Sequence, residues 1–168
     1  TVDSELYLEM IRIKTSILFG SAAYGGALIG YKTIEEANEL RQMAIWVGLG
    51  FQIWDDYLDA TAPAEVLGKP SGSDVRQGKR TLLVIEALNR TKPDERKELI
   101  RILDDSKNTD DDVQRAVEIM SECGALENCR KQALDYLHGA KETIEKYPKG
   151  EARELLEELL EYMVTRGH

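Results

Sequence analysis

Histidine is almost missing from this 168-residue chain, which has only His138 and the terminal His168. No Glu-x-x-His pair exists, so a di-iron carboxylate bundle is disfavoured, and no Ser-His-Asp arrangement is suggested. Cysteine is as scarce. Cys123 and Cys129 lie six positions apart in a helical pattern, about 600° of helical rotation. They therefore occupy different faces and read as two reduced core thiols, not as a disulfide or a zinc site. Basic residues are outnumbered, 22 Lys and Arg against 31 Asp and Glu, for a net charge of −9. That balance argues against a general nucleic-acid binder, which needs a basic face, but leaves room for local phosphate sites. Long apolar runs are lacking too. The longest uncharged stretch, Thr15 to Tyr31, is broken by serines and glycines and falls short of a membrane span. With no signal-peptide pattern, the expectation is a cytoplasmic protein.

Alternating apolar and polar residues, the mark of a half-buried strand, are absent as well, and periodicity is helical nearly throughout. The composition, 42% hydrophobic and 32% charged, suits one globular domain over residues 1–168. The spacing predicts a first helix from about Ser4 to Gly30, whose second half is apolar or small all round and belongs in a bundle centre. Thr33 caps a second helix, Ile34 to about Ala60, with Glu35 and Glu36 in its first turn. Pro63 marks its end. "LGKPSGSDVRQGKR" then forms the one long irregular stretch. Further helices are expected over Thr81–Arg90, Pro93–Asp104, from Thr109 or Asp110 to Glu122, Ala125–Tyr147 and Glu151–Arg166. The last carries Leu155, Leu156, Leu159, Leu160 and Met163 on one stripe. The fold class is all-α, a bundle of six or seven helices. The opening Thr1-Val2-Asp3-Ser4 has no initiator Met and reads as a helix cap, which suggests a fragment or a trimmed product.

"FQIWDDYLDA" is the stretch that asks for chemistry. The nearly all-apolar run Met43 to Phe51 leads into Gln52, Asp55, Asp56 and Asp59. Offsets of three, four and seven share one helix face. Acids near a helix C-terminus oppose the dipole, so capping does not explain them. A divalent metal does, since Mg²⁺ takes one or two carboxylates and fills its other positions with water or phosphate. The competing reading is a solvated acidic patch, which the apolar run upstream disfavours. Lys14 and Thr15 stand where the first helix turns from amphipathic to apolar; alone, such a lysine reads as snorkelling. Lys69, Asp74, Arg76, Lys79 and Arg80 lie in the irregular stretch. Its Gly-Lys pairs offer cations and backbone N–H groups to phosphate, or form a flexible charged loop. The P-loop spacing is absent. "DDSKNTDDD" lacks the EF-hand pattern and reads as a solvated capping loop.

In this order, "YLEMIRIKTSILFGSA", "GLGFQIWDDYLD" and "LGKPSGSDVRQGKRTLLVIEAL" resemble the C-terminal half of trans-isoprenyl diphosphate synthases, the polyprenyl synthetases. The likeness runs on through "MSECGALENCRKQALDYLHGAKETI" and "LLEELLEYMVTR". It implies a prenyltransferase that condenses isopentenyl diphosphate with an allylic diphosphate. Asp55 and Asp59 would then hold Mg²⁺ directly or through water, with Asp56 beside them. Lys14, Lys69 and Lys79 would neutralise diphosphate. Thr15 and Gln52 would turn oxygens toward the allylic cation, and Asp74, Lys79 and Arg80 would shape a flap. The resemblance also implies a homodimer for the intact protein. The family's first aspartate-rich motif and its upstream Gly-Lys-Arg segment are not in this sequence, so the chain carries the second motif only and is expected to be inactive alone. Its product length is unspecified. A non-catalytic small subunit that partners a complete synthase is the alternative. A Mg²⁺-dependent terpene cyclase is disfavoured by the KT and GKPxGSD motifs.

Overall fold

The computed structural model describes residues 3–68 and 70–165, which are mostly helical with no strand among them. Contacts gather into two compact units: residues up to Tyr7 with Ile53–Lys131, and Leu8–Gln52 with Gln132 onward. Helix α3 (Ile34–Thr61) contributes to both, the division falling between Gln52 and Ile53.

The second of these units starts with the end of α1 (Ser4–Ile11) and continues through a π-helical turn, Arg12–Ser16, into α2 (Ile17–Ile29). The expected first helix is therefore continuous but locally widened, with the Ile17 N–H bonding to the Arg12 carbonyl. Such π turns recur at functional sites, and this one holds Lys14 and Thr15. Thr33 and Glu36 close a reciprocal cap on α3: the Thr33 hydroxyl accepts the Glu36 N–H at 3.2 Å and the Glu36 carboxylate accepts the Thr33 N–H at 2.9 Å. Met43, Ala44 and Val47 of α3 pack with Leu137, Ala140 and Ile144 of α9 (Ala125–Ile144) and with Leu160 and Met163 of α10 (Glu151–Thr165). Burying each of the larger side chains contributes about 1.5–3 kcal/mol.

Three sequence expectations fail in this unit. The second half of the first helix is not enclosed: Leu18 is 75% and Ile29 81% exposed. The α10 stripe splits, with Leu160 and Met163 buried while Leu155 and Leu159 face outward; five apolar residues at those offsets span more than one contact face. Helix α9 ends at Ile144, because Lys146 and Tyr147 bond back to Thr143 and Ile144 and tighten the chain ahead of Pro148. The expected final residue of α10, Arg166, lies outside the described residues.

In the other unit the irregular stretch contains two helical turns, α4 (Ala64–Leu67) and α5 (Ser73–Arg76). Helix α6 (Leu82–Arg90) buries Leu82, Leu83, Val84, Ile85 and Ala87. Leu99, Ile102 and Leu103 of α7 (Pro93–Asp104) and Val113, Ala116, Ile119 and Met120 of α8 (Asp110–Glu122) are buried too. Helices α5, α6, α7 and α8 pack on one another. Thr109 caps α8, its hydroxyl accepting the Asp112 N–H at 3.2 Å. Gly124, at φ +76°, separates α8 from α9. Cys123 and Cys129 therefore belong to different helical segments rather than to two faces of one. Both are free thiols, and Cys129 is fully buried.

Candidate active site

Helix α3 ends in the acids, and the structure separates them by exposure. Asp55 is exposed, whereas Asp56 and Asp59 are 6% and 3% exposed. A buried carboxylate is costly without donors, and both have them. Asp56 accepts the hydroxyl of Tyr7 in a short hydrogen bond. Burial, followed by the Asp56 charge, pushes the Tyr7 phenol well above its ordinary value, so it remains a donor. Asp59 accepts the Ser73 hydroxyl at 2.6 Å on one carboxylate oxygen and the Asp74 N–H at 2.8 Å on the other. Its main-chain carbonyl accepts the Gly72 N–H at 2.6 Å and the Ser71 hydroxyl at 3.3 Å.

The segment after α4 is thereby fastened to α3. Gly72 has φ +71°, and a Cβ there would stand 2.4 Å from the Val113 side chain, so the tight turn against α8 requires glycine. Asp74 pairs with Lys79 at 2.5 Å. Arg80 donates to the Gly78 carbonyl at 2.9 Å and to Asp104 at 2.5 Å. Arg76 bonds to the Asn108 carbonyl and to Asp110. Lys69 lies outside the described residues. Cys129 is pushed up to about 12, chiefly by burial, which makes it an inert thiol.

In the other unit, the Thr15 hydroxyl donates to the Gln52 amide oxygen at 3.2 Å. Close helix approach permits this. A Cβ on Gly48, one turn before Gln52, would stand 2.6 Å from the Ser16 Cα. The π turn buries Ser16 at that crossing while Lys14 stays exposed.

Sequence reasoning singled out Thr15, Gln52 and the three acids but did not anticipate Tyr7 and Ser73, which donate to Asp56 and Asp59. The signal available was the requirement itself: acids inside an apolar helix need donors. Among the described residues no three His, Cys, Asp or Glu side chains converge into a metal cage. One exposed carboxylate flanked by two buried ones suits Mg²⁺, which keeps several waters and takes the rest of its shell from phosphate.

An all-helical fold with a DDxxD helix end and a lysine-bearing turn defines the class. The chain belongs to the polyprenyl synthetase family, whose model matches residues 1–120. It is 40% identical over 167 residues to a short chain isoprenyl diphosphate synthase of Methanothermobacter thermautotrophicus, covering 99% of this chain and 51% of that one. It is 38% identical over 162 residues to a geranylgeranyl diphosphate synthase of Methanosarcina mazei, covering 96% of this chain and 48% of the relative. The crystal structure of a polyprenyl synthase from Caulobacter crescentus CB15, complexed with calcium and isoprenyl diphosphate, matches with a TM-score of 0.90 at 35% identity, over 100% of this chain and 51% of that one. The chain spans about half the length of the curated relatives it matches. Among the described residues no helix is long and apolar enough to cross a membrane.

Proposed function

We propose that this chain carries the second aspartate-rich motif of a prenyltransferase that joins isopentenyl diphosphate to an allylic diphosphate. The observation that supports this most is the graded burial of the acids near the end of α3, with Asp55 exposed and Asp56 and Asp59 buried. Within the motif of Asp55, Asp56 and Asp59, Asp55 is the carboxylate that meets Mg²⁺, and the two buried acids stand behind it. Bound Mg²⁺ would offset the charge that builds on the diphosphate as its C–O bond ionises. Lys14, Lys69 and Lys79 neutralise diphosphate as point charges. The Thr15 hydroxyl commits its proton to Gln52, which turns its lone pairs to a developing cation. Fixed charges of this kind act without reorganising during the reaction. The new carbon–carbon bond forms when isopentenyl diphosphate attacks the allylic cation, and a proton is then lost.

The intact protein is read as a cytoplasmic homodimer, in keeping with the family resemblance. This chain is read as inactive alone. The exposed Ile13, Leu18 and Ile29 support that, since such apolar surface invites a covering partner. Met43, Val47, Ile53 and Trp54, by contrast, are buried within the chain itself. The test is calorimetric titration of the chain with inorganic pyrophosphate, with and without Mg²⁺. Binding should require Mg²⁺ and fall at least tenfold in Asp55→Asn. Equal binding in Mg²⁺ and in EDTA, or no effect of Asp55→Asn, would overturn the reading.

A further inference from the structure

We propose that Asp59, although part of the aspartate-rich motif, acts as a positioning residue. It fixes the 71–79 segment, and through Asp74 the ammonium of Lys79, instead of facing the metal. The inference rests on the reading above for what Lys79 does, but the geometry of Asp59 stands by itself. Four hydrogen bonds run from successive residues of one loop to this single aspartate. Ser71 and Gly72 donate to its carbonyl, and Ser73 and Asp74 donate to the two oxygens of its carboxylate. A charged acceptor that receives a hydroxyl and a backbone N–H is a strong anchor, and at 3% exposure it is shielded from competing water.

The anchored loop has its own onward connection. The Asp74 carbonyl accepts the Lys79 N–H at 2.9 Å, and the Asp74 carboxylate pairs with the Lys79 ammonium at 2.5 Å. The Lys79 side chain is half exposed, as a group that meets a soluble anion must be. On its far side the loop is held by Asn108, whose amide donates to the carbonyls of Val75, Arg76 and Ile102. Two fixed ends leave the Asp74–Lys79 pair little freedom. Asp55 has the exposure a metal ligand needs, whereas Asp59 is buried.

Three readouts on the 168-residue chain test this. In hydrogen exchange, Asp59→Asn and the milder Ser73→Ala should each speed exchange of the Asp74 amide by about tenfold, the scale of one lost charge-assisted hydrogen bond. In Mg²⁺-dependent pyrophosphate binding, Asp59→Asn and Lys79→Ala should each weaken affinity, and the double variant should lose no more than the worse single one, because both act through one ammonium. In manganese titration followed by electron paramagnetic resonance, Asp55→Asn should weaken Mn²⁺ uptake, while Asp59→Asn and Ser73→Ala change it less than about twofold, below the roughly tenfold worth of a charged hydrogen bond. The proposal is overturned if Asp59→Asn weakens Mn²⁺ as much as Asp55→Asn while Ser73→Ala does nothing. It is overturned equally if the Asp74 amide exchanges at its original rate in Asp59→Asn. If the unaltered chain takes up neither Mn²⁺ nor pyrophosphate, the metal–diphosphate reading fails, and the exchange experiment still decides the role of Asp59.

Discussion

Replacing Gly48 by alanine should separate the two helices that carry the Thr15–Gln52 pair. A Cβ at position 48 would lie 2.6, 2.8 and 2.9 Å from the Ser16 Cα, Cβ and Oγ, against about 3.5–4.0 Å for relaxed carbon contacts. One of these neighbours is backbone, so no rotamer change relieves the overlap, and the helices must part by roughly 1 Å to reach that separation. Alanine gains about 1 kcal/mol over glycine in helix propensity, while overpacking a tight contact costs about 1–3 kcal/mol. The difference is a net loss of up to about 2 kcal/mol, read as a lower urea midpoint at unchanged slope. Gly25→Ala is the control. Nothing lies within 4 Å of its added Cβ, so propensity alone acts and stability should rise by about 0.5–1 kcal/mol. Because the Thr15–Gln52 bond is already 3.2 Å, Gly48→Ala should also break it. A Gly48→Ala protein as stable as the original, with that bond intact in a crystal structure, would refute the reasoning.

Other consequences are quicker to check. Tyr7→Phe removes a donor from the buried Asp56 and should cost about 1.5–3 kcal/mol in denaturant unfolding. Arg101, donating at 2.8 Å, and next the Thr109 N–H hold the Asp112 carboxyl down to about 2 from its ordinary 3.8. The folded state thus favours the ionised form, so this contribution is complete above about pH 4 and is lost as pH falls through about 2. Asp112→Asn should flatten acid unfolding over that window. Tyr31, 98% exposed at φ +59°, holds a left-handed conformation that costs a non-glycine residue about 1–2 kcal/mol; Tyr31→Gly should raise the thermal midpoint.

The helices were legible because their caps and breakers are local. Thr33, Thr109, Pro63 and Pro93 do in the structure what their chemistry implies. The exposure of Leu18 and Ile29 was not legible, since an all-apolar stretch says only that it wants cover, not whether this chain supplies it. Likewise the π turn at Arg12–Ser16 shifts the face that Ser16 presents, and no 3.6-residue count reveals an inserted residue. For the site, DDxxD and the GKPxGSD turn could be read as separate motifs. That Ser73 and Asp74 bond to Asp59 is a tertiary fact, invisible to spacing. Tyr7 was hidden for the same reason, 49 positions from Asp56.

The most direct measurement is chain elongation after recombination. The 168-residue chain is incubated with dimethylallyl diphosphate, labelled isopentenyl diphosphate and Mg²⁺. It is assayed alone and after mixing with a separately made polypeptide, the part of the Methanothermobacter thermautotrophicus relative that this chain does not match. No labelled product should form alone. Product should appear on mixing, and Asp55→Ala should lower that rate by at least ~10²-fold, the scale of losing a preorganised charge stabiliser. Elongation by the chain alone would contradict the account. So would silence on mixing under conditions where the two halves of the relative recombine into an active enzyme.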